Sequence, residues 1–261
     1  MTKIIAVANQ KGGVGKTTTA VNLAASLVAN DRRVLMVDLD PQGNATMGSG
    51  IDKNELDVST YDVLLGDSEA GDAIQPSAQG GFDIIPANAD LTAAEVKLLN
   101  EFGRETRLRA ALEPLKGDYD YVLIDCPPSI NMLTVNGLTA ATGVLIPMQC
   151  EYYALEGLSS LLSTVEQIRG AVNPRLGLAG ILRTMFDPRN NLANEVSGQL
   201  ILHFGDKVYR TVIPRNVRLA EAPSFGVPAL FHDKYSRGAL AYLALAAEII
   251  RMEDGHGQAG L

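Results

Sequence analysis

The chain has 261 residues, 46% of them hydrophobic and 20% charged, with 22 basic against 30 acidic side chains and a formal net charge of −8. That length buries a substantial core as one large domain or two small ones, and the acidic balance excludes a protein that is basic throughout. No secretory leader is expected in Met1-Thr2-Lys3, no run approaches the roughly 18 apolar residues of a membrane span, and the distant Cys126 and Cys150 suggest no disulfide framework, so a reducing cytoplasm is expected.

Along the chain, short apolar runs alternate with helix-period patterns. Lys3–Asn9 reads as a strand, Lys16–Asn30 as a helix and Arg33–Asp38 as the next strand. Strand Phe82–Pro86 follows, then helices Leu91–Asn100 and Arg104–Leu115. Strand Tyr119–Asp125, helix Met132–Ala140, strand Thr142–Met148, helix Leu155–Arg169 and strand Leu176–Arg183 repeat the alternation. Helices Leu192–Phe204 and Ala239–Met252 complete it. Each strand is nearly continuously apolar, as one buried on both faces must be. The alternation implies an α/β fold, a doubly wound, mostly parallel sheet flanked by helices on both faces. Residues 1–252 are expected to form a single domain and 253–261 a flexible tail. Ligands of such sheets bind beyond the carboxyl ends of the strands, so the strand-to-helix loops carry the functional information.

Three of these loops carry chemistry. The first, within NQKGGVGKTTTA (residues 9–20), joins strand Lys3–Asn9 to helix Lys16–Asn30. Its glycines let backbone N–H groups curl around an anion at a helix N-terminus. Lys16 would neutralise β- and γ-phosphates, and the Thr17 hydroxyl would bind Mg²⁺. The loop departs from G-x-x-x-x-G-K-[ST], however: Gln10 stands where the first glycine belongs, and an extra lysine, Lys11, precedes Gly12-Gly13. In the second loop, VLMVDLDPQGNAT (34–46), Asp38 and Asp40 alternate onto one side of the strand end. Asp38 is expected to orient Thr17 and metal-bound water, and Asp40 the attacking water; a capping or turn role for Asp40 is the alternative. The third, YVLIDCPPS (121–129), ends a strand in Asp125, where P-loop ATPases place a carboxylate that holds Mg²⁺ through water.

KGGVGKTT resembles the deviant phosphate loop of the MinD/ParA class of P-loop ATPases. DLDPQGNAT, IDCPPS, QCEYYALEGL, TMFDPRNNLA and VIPRNVRLAEAPSFG resemble the ParA/Soj branch of chromosome- and plasmid-partition ATPases, and they spread over residues 9–226. The resemblance implies a single P-loop ATPase domain that hydrolyses ATP slowly with Mg²⁺. It implies a homodimer in which Lys11 reaches the phosphates of the partner's ATP, with Lys11, Lys16 and Asp40 catalytic. Gly12, Gly13, Val14, Gly15, Thr17 and Thr18 would contact phosphates, Met185 and Pro214-Arg215-Asn216 would lie near adenine, and Thr17, Asp38 and Asp125 would serve the metal. From the residues alone, Pro214 and Asn216 equally suit a plain turn. The implied partners are non-specific double-stranded DNA and a ParB-like centromere-binding protein, and the implied location is cytoplasmic and nucleoid-associated.

Bases outnumber acids over residues 183–252. Arg189, Lys207, Arg210, Arg218, Lys234 and Arg237 are the expected DNA contacts under the resemblance; by themselves they also suit a solvated charged face. Cys126 and Cys150 show no C-x-x-C spacing, and His203, His232 and His256 no metal-ligand spacing, so core cysteines are expected rather than the iron–sulfur cluster of nitrogenase iron proteins. The last helix is apolar nearly all round and runs into Glu253-Asp254 and glycine-rich sequence, a poor membrane anchor. That disfavours the alternative, a MinD-like membrane-cycling ATPase, and no membrane partner is expected.

Overall fold

A computed structural model describes residues 2–258, with side chains through residue 253. Its sheet has eight strands: β1 (Lys3–Val7), β2 (Val34–Asp38), β3 (Gln75–Pro76), β4 (Asp83–Ile85), β5 (Tyr121–Asp125), β6 (Gly143–Met148), β7 (Gly177–Phe186) and β8 (Val208–Pro214). The spatial order is β3-β4-β2-β5-β1-β6-β7-β8, and every pairing is parallel except β3 with β4. The expected doubly wound parallel sheet is therefore present. Winding reverses beside β1, where Val7 lies opposite Asp125 and Asp125 opposite Asp38. This switch point gathers the three loops read from the sequence.

The helices are α1 (Lys16–Val28), α2 (Asn44–Gly48), α3 (Thr60–Leu65), α4 (Leu91–Leu98), α5 (Arg107–Leu112), α6 (Met132–Ala140), α7 (Ala154–Ala171), α8 (Asn191–Phe204), α9 (Val217–Glu221), α10 (Ala229–His232) and α11 (Arg237–Gln258). Successive strand residues feed opposite cores, as period-two alternation requires. Ile4, Ala6, Val122 and Ile124 pack with Leu91, Leu133, Leu161 and Leu200 of α4, α6, α7 and α8. Ile5, Val7 and Leu123 pack with Leu23 and Leu27 of α1 and Tyr242 and Leu245 of α11 on the other face. Truncating one of the buried leucines to Ala costs about 2–5 kcal/mol.

Several elements differ from the sequence expectation. The helix expected over Arg104–Leu115 is α-helical only at α5, with 3₁₀ turns at Arg104–Thr106 and Glu113–Leu115; Pro114 lacks the N–H that α-helix needs. Strand β8 was not expected, because Arg210 and Thr211 interrupt its apolar run; it lies at the sheet edge, where the exposed Arg210 meets solvent. Helix α3 starts at a capping box, Ser59 Oγ accepting from Tyr61 N and Asp62 Oδ2 from Ser59 N. The segment expected as a tail begins inside α11, which runs through Gln258; residues 259–261 lie outside the described residues. Among the described residues no helix is long and apolar enough to cross a membrane.

Candidate nucleotide site

The chain leaves β1 and turns through residues 9–15 into α1. Gly13 and Gly15 sit at φ 74° and 88°, conformations that side chains resist. Gly15 caps α1 with no side-chain hydrogen bond, so the first-turn N–H groups remain for a ligand. A Cβ on Gly12 or Gly13 would meet nothing within 4 Å: the loop borders open space. Val14 points inward, and its carbonyl accepts from Thr184 Oγ1 at 2.8 Å, tying the loop to β7.

This loop forms one wall of a cavity of about 540 Å³. Gly12, Gly13, Gly15, Lys16, Thr17, Thr18 and Asp40 line it at one end, and Met185, Pro214, Arg215 and Asn216 at the other. Residues of the first loop and of the segment after β8, remote in sequence, thus line one cavity. Thr184 and Tyr242 also line it and were not foreseen. The Tyr242 hydroxyl lies 3.1 Å from Thr19 Oγ1, so α11 touches the phosphate-loop helix directly.

The site sets one buried lysine among three carboxylates. Lys16 is buried, with Nζ donating to the Lys11 carbonyl at 3.2 Å. Burial lowers its pKa, and the carboxylates of Asp125 and Asp40 oppose that shift. Asp38 is fully buried, and its pKa is pushed up to about 6 by desolvation. Its Oδ1 accepts from Asp40 N at 3.0 Å, and its Oδ2 accepts from Thr46 N at 2.9 Å and Thr46 Oγ1 at 2.8 Å. Asp38 therefore organises the 40–46 loop and does not itself line the cavity. Asp125 is also buried behind the cavity wall, and among the described residues neither oxygen has a hydrogen-bond partner. Burial and the neighbouring Asp38 charge push its pKa well up; the Thr17 hydroxyl offsets part of this without reaching hydrogen-bond geometry. Unpaired buried carboxylate oxygens beside a hydroxyl are a hard-oxygen donor set, which fits Mg²⁺. Asp40 uses Oδ1 to accept from Gln42 N at 3.0 Å, the turn role foreseen as an alternative, while still lining the cavity.

Lys11 stands apart from that cavity. Its Nζ lies 2.5 Å from Glu151 Oε2, with about half of each side chain exposed. Glu151 follows the end of β6 and was missed by the sequence reading; it lies within QCEYYALEGL but 140 residues from Lys11. Gln10 Nε2 donates to Ser160 Oγ of α7 at 3.0 Å, so the outer arm of the loop rests on the segment after β6.

The AAA domain family is matched over residues 2–178. The chromosome partitioning protein ParA of Caulobacter vibrioides is 52% identical over 96% of this chain and 95% of its own. The sporulation initiation inhibitor protein Soj of Bacillus subtilis is 53% identical over 95% of this chain and 98% of its own. The chain belongs to the ParA/Soj family. A solved structure from Mycobacterium smegmatis, described as cobyrinic acid a,c-diamide synthase with bound ADP and magnesium, has a TM-score of 0.86, 42% identity, and coverage of 97% of this chain and 96% of that one.

At the far end of the cavity Met185 adopts φ 47°, an unusual value for a side-chain-bearing residue. Gln149 Nε2 donates to its sulfur at 2.8 Å. Asn216 Oδ1 accepts from Arg218 N and Leu219 N at 3.1 and 3.3 Å, capping α9. Its acceptor is thus engaged, and only the amide NH₂ remains without a hydrogen-bond partner among the described residues. The expected basic contacts divide. Arg189 forms two hydrogen bonds to Asp187, Arg218 pairs with Glu221 and Asp233, and Lys234 lies over the Tyr235 ring. Arg210 has no ion pair among the described residues, and Arg183 of β7 is buried. Both cysteines are buried; burial pushes the Cys150 thiol up to about 11 and Cys126 further. Neither offers a surface thiolate for a cluster shared between subunits.

Proposed function

We propose that this ParA/Soj-family ATPase is a dimerisation switch driven by ATP, and that the dimer binds DNA without sequence preference. The observation that carries the proposal is Lys11. A lysine of the phosphate loop that does not line its own cavity, half-exposed and with its ammonium paired to Glu151 among the described residues, is placed to serve phosphates other than its own subunit's. Surface ion pairs are weak, typically about 0–1 kcal/mol, so a bound phosphate can take the lysine from Glu151.

In each subunit Lys16 and the N–H groups of residues 12–18 hold the β- and γ-phosphates. Mg²⁺, when bound, would supply positive charge against the phosphates. Thr17 and Asp125 would hold it, with Asp38 fixing the loop behind them. Asp40 orients the attacking water in line with the γ-phosphate. Lys11 of the second subunit stabilises charge that develops there, as an arginine finger does. Hydrolysis removes the group that Lys11 holds, and the dimer loosens. A centromere-binding partner of the ParB type would accelerate this slow step and so move a chromosome or plasmid through the cytoplasm over the nucleoid. The 52% and 53% relatives named for partitioning and sporulation control support this over an amide-forming ligase.

Gel filtration with ADP, ATP and a non-hydrolysable analogue, each followed by binding to random-sequence duplex, tests the proposal. A dimer and DNA binding specific to the triphosphate are expected. A chain that stays monomeric with every nucleotide overturns it.

A further inference from the structure

At the open edge of the sheet, β8, α8 and α11 enclose a second cavity of about 670 Å³. Arg183 lines it, only 8% exposed. Its NH1 donates to Ser197 Oγ at 2.8 Å, and its NH2 donates to the carbonyls of Tyr209 and Arg210 at 2.7 and 3.1 Å. Its Nε is buried with no acceptor, and among the described residues no carboxylate forms an ion pair with it. A guanidinium clamp between β7, β8 and α8 needs donors, which a neutral amide also supplies. It does not need a charge, and burying one without a counter-ion costs several kcal/mol. The Phe186 ring lies 5.8 Å from the guanidinium, and the Glu248 charge acts on it without pairing, so the cavity is built around a cation with no directly bonded anion among the described residues.

Arg210 and Arg251 also line it, exposed and without a carboxylate partner among the described residues; Arg251 Nε donates to the Ala247 carbonyl. The acidic lining residues are Asp206 and Glu248. Both Glu248 oxygens are engaged, accepting from Arg210 N at 2.7 Å and Thr211 N at 2.9 Å. Guanidiniums in this arrangement suit a phosphate. The cavity also shares three elements with the nucleotide site. Arg183 directly precedes Thr184 and Met185 on β7, Arg210 and Thr211 precede Ile213 and Pro214 on β8, and Glu248 and Arg251 share α11 with Tyr242.

We propose that the Arg183–Arg210–Arg251 cavity is a subsite for a backbone phosphate of duplex DNA. This rests on the DNA-binding reading above and places one contact at the β8 edge, where β7, β8 and α11 link it to the nucleotide.

The test is fluorescence anisotropy of a labelled random duplex with ATP-bound protein from 50 to 200 mM salt, for wild type, Arg210→Ala, Arg251→Ala and Arg183→Met. Arg169→Ala, on α7 and paired with Glu166, is the control for lost positive charge. Each cavity variant should weaken binding and lessen the fall in affinity across that salt range by about 3.5-fold for each phosphate contact removed. Arg169→Ala should leave that fall unchanged. The two rim variants decide the matter if Arg183→Met melts early. Wild-type affinity and salt dependence in both rim variants, or the same change in Arg169→Ala, overturns the subsite. If wild type binds duplex, and inorganic phosphate binds wild type but not Arg251→Ala without displacing that duplex, the cavity serves free phosphate and the proposal also falls. Wild type that binds no duplex with ATP is a separate result: it removes the DNA reading itself, and the subsite with it.

Discussion

Raising the pH of the metal- and nucleotide-free protein from 4 to 7 should cost stability through Asp38. Desolvation raises this buried carboxyl from 3.8 to about 6 against the opposing hydrogen bonds from Thr46 and Asp40 N. Between those values the folded chain keeps a proton that the unfolded chain has released. Unfolding then gives up a proton, so stability falls as pH rises through the window and the full cost is present above it. At 1.36 kcal/mol per unit, the shift amounts to about 3 kcal/mol, or on the order of 6 °C or more in Tm for a chain of this size. Asp125, pushed up by burial and by Asp38, acts in the same direction. Thermal melts of wild type and Asp38→Asn, in chelator, remove the titrations the two proteins share; the part of the Asp125 shift that the Asp38 charge causes stays in the difference and has the same sign. Through Asp38 wild type should lose about 2.4 kcal/mol of that cost relative to the variant between pH 4 and 7, the rest being lost already at pH 4. Saturating Mg²⁺ and ADP should flatten that loss, since a bound cation favours the ionised carboxylates. Parallel pH curves for the two proteins would refute the account of Asp38.

Lys16→Ala should weaken ATP binding by about 100-fold or more, the consequence of removing one partner from a buried charge cluster; equilibrium binding of labelled ATP measures it, and unchanged affinity removes Lys16 from the site. Lys11→Ala should bind ATP normally, because Lys11 does not line its own cavity, yet lose both ATP-induced dimerisation and hydrolysis; a variant that dimerises like wild type refutes the role across the interface. Glu151→Ala should change thermal stability by less than about 1 kcal/mol, as expected of a half-exposed pair; a loss of several kcal/mol would make that contact structural. Asp40→Ala should hold ATP and accumulate as a dimer while phosphate release falls; turnover at the wild-type rate would move the water-orienting role elsewhere.

Much of the site is legible in the sequence because its parts are local. Gly13 and Gly15 take left-handed backbone, and Asp38 and Asp125 each end an apolar strand, so both belong at the carboxyl edge of a parallel sheet. Hydrophobic continuity marks the central strands for the same reason: both of their faces are buried. β8 escapes that signal because only part of an edge strand is covered, which leaves Arg210 in solvent.

The tertiary structure decides what depends on neighbours distant in sequence. Asp38 and Asp125 read alike as strand ends, yet the 40–46 loop folds back to engage both oxygens of Asp38 while those of Asp125 stay without protein donors. Lys11 declares itself an extra lysine in twelve residues, but its placement outside the cavity depends on Glu151, at the end of a strand added to the other side of β1. Arg183 looks like one more surface base until β8 and α8 close over it. Burial and charge pairing are properties of the packed neighbours around a side chain, and parallel crossovers bring those neighbours from remote parts of the chain. Local sequence therefore names the groups that carry the chemistry, and packing determines which are engaged and which are left open to a ligand.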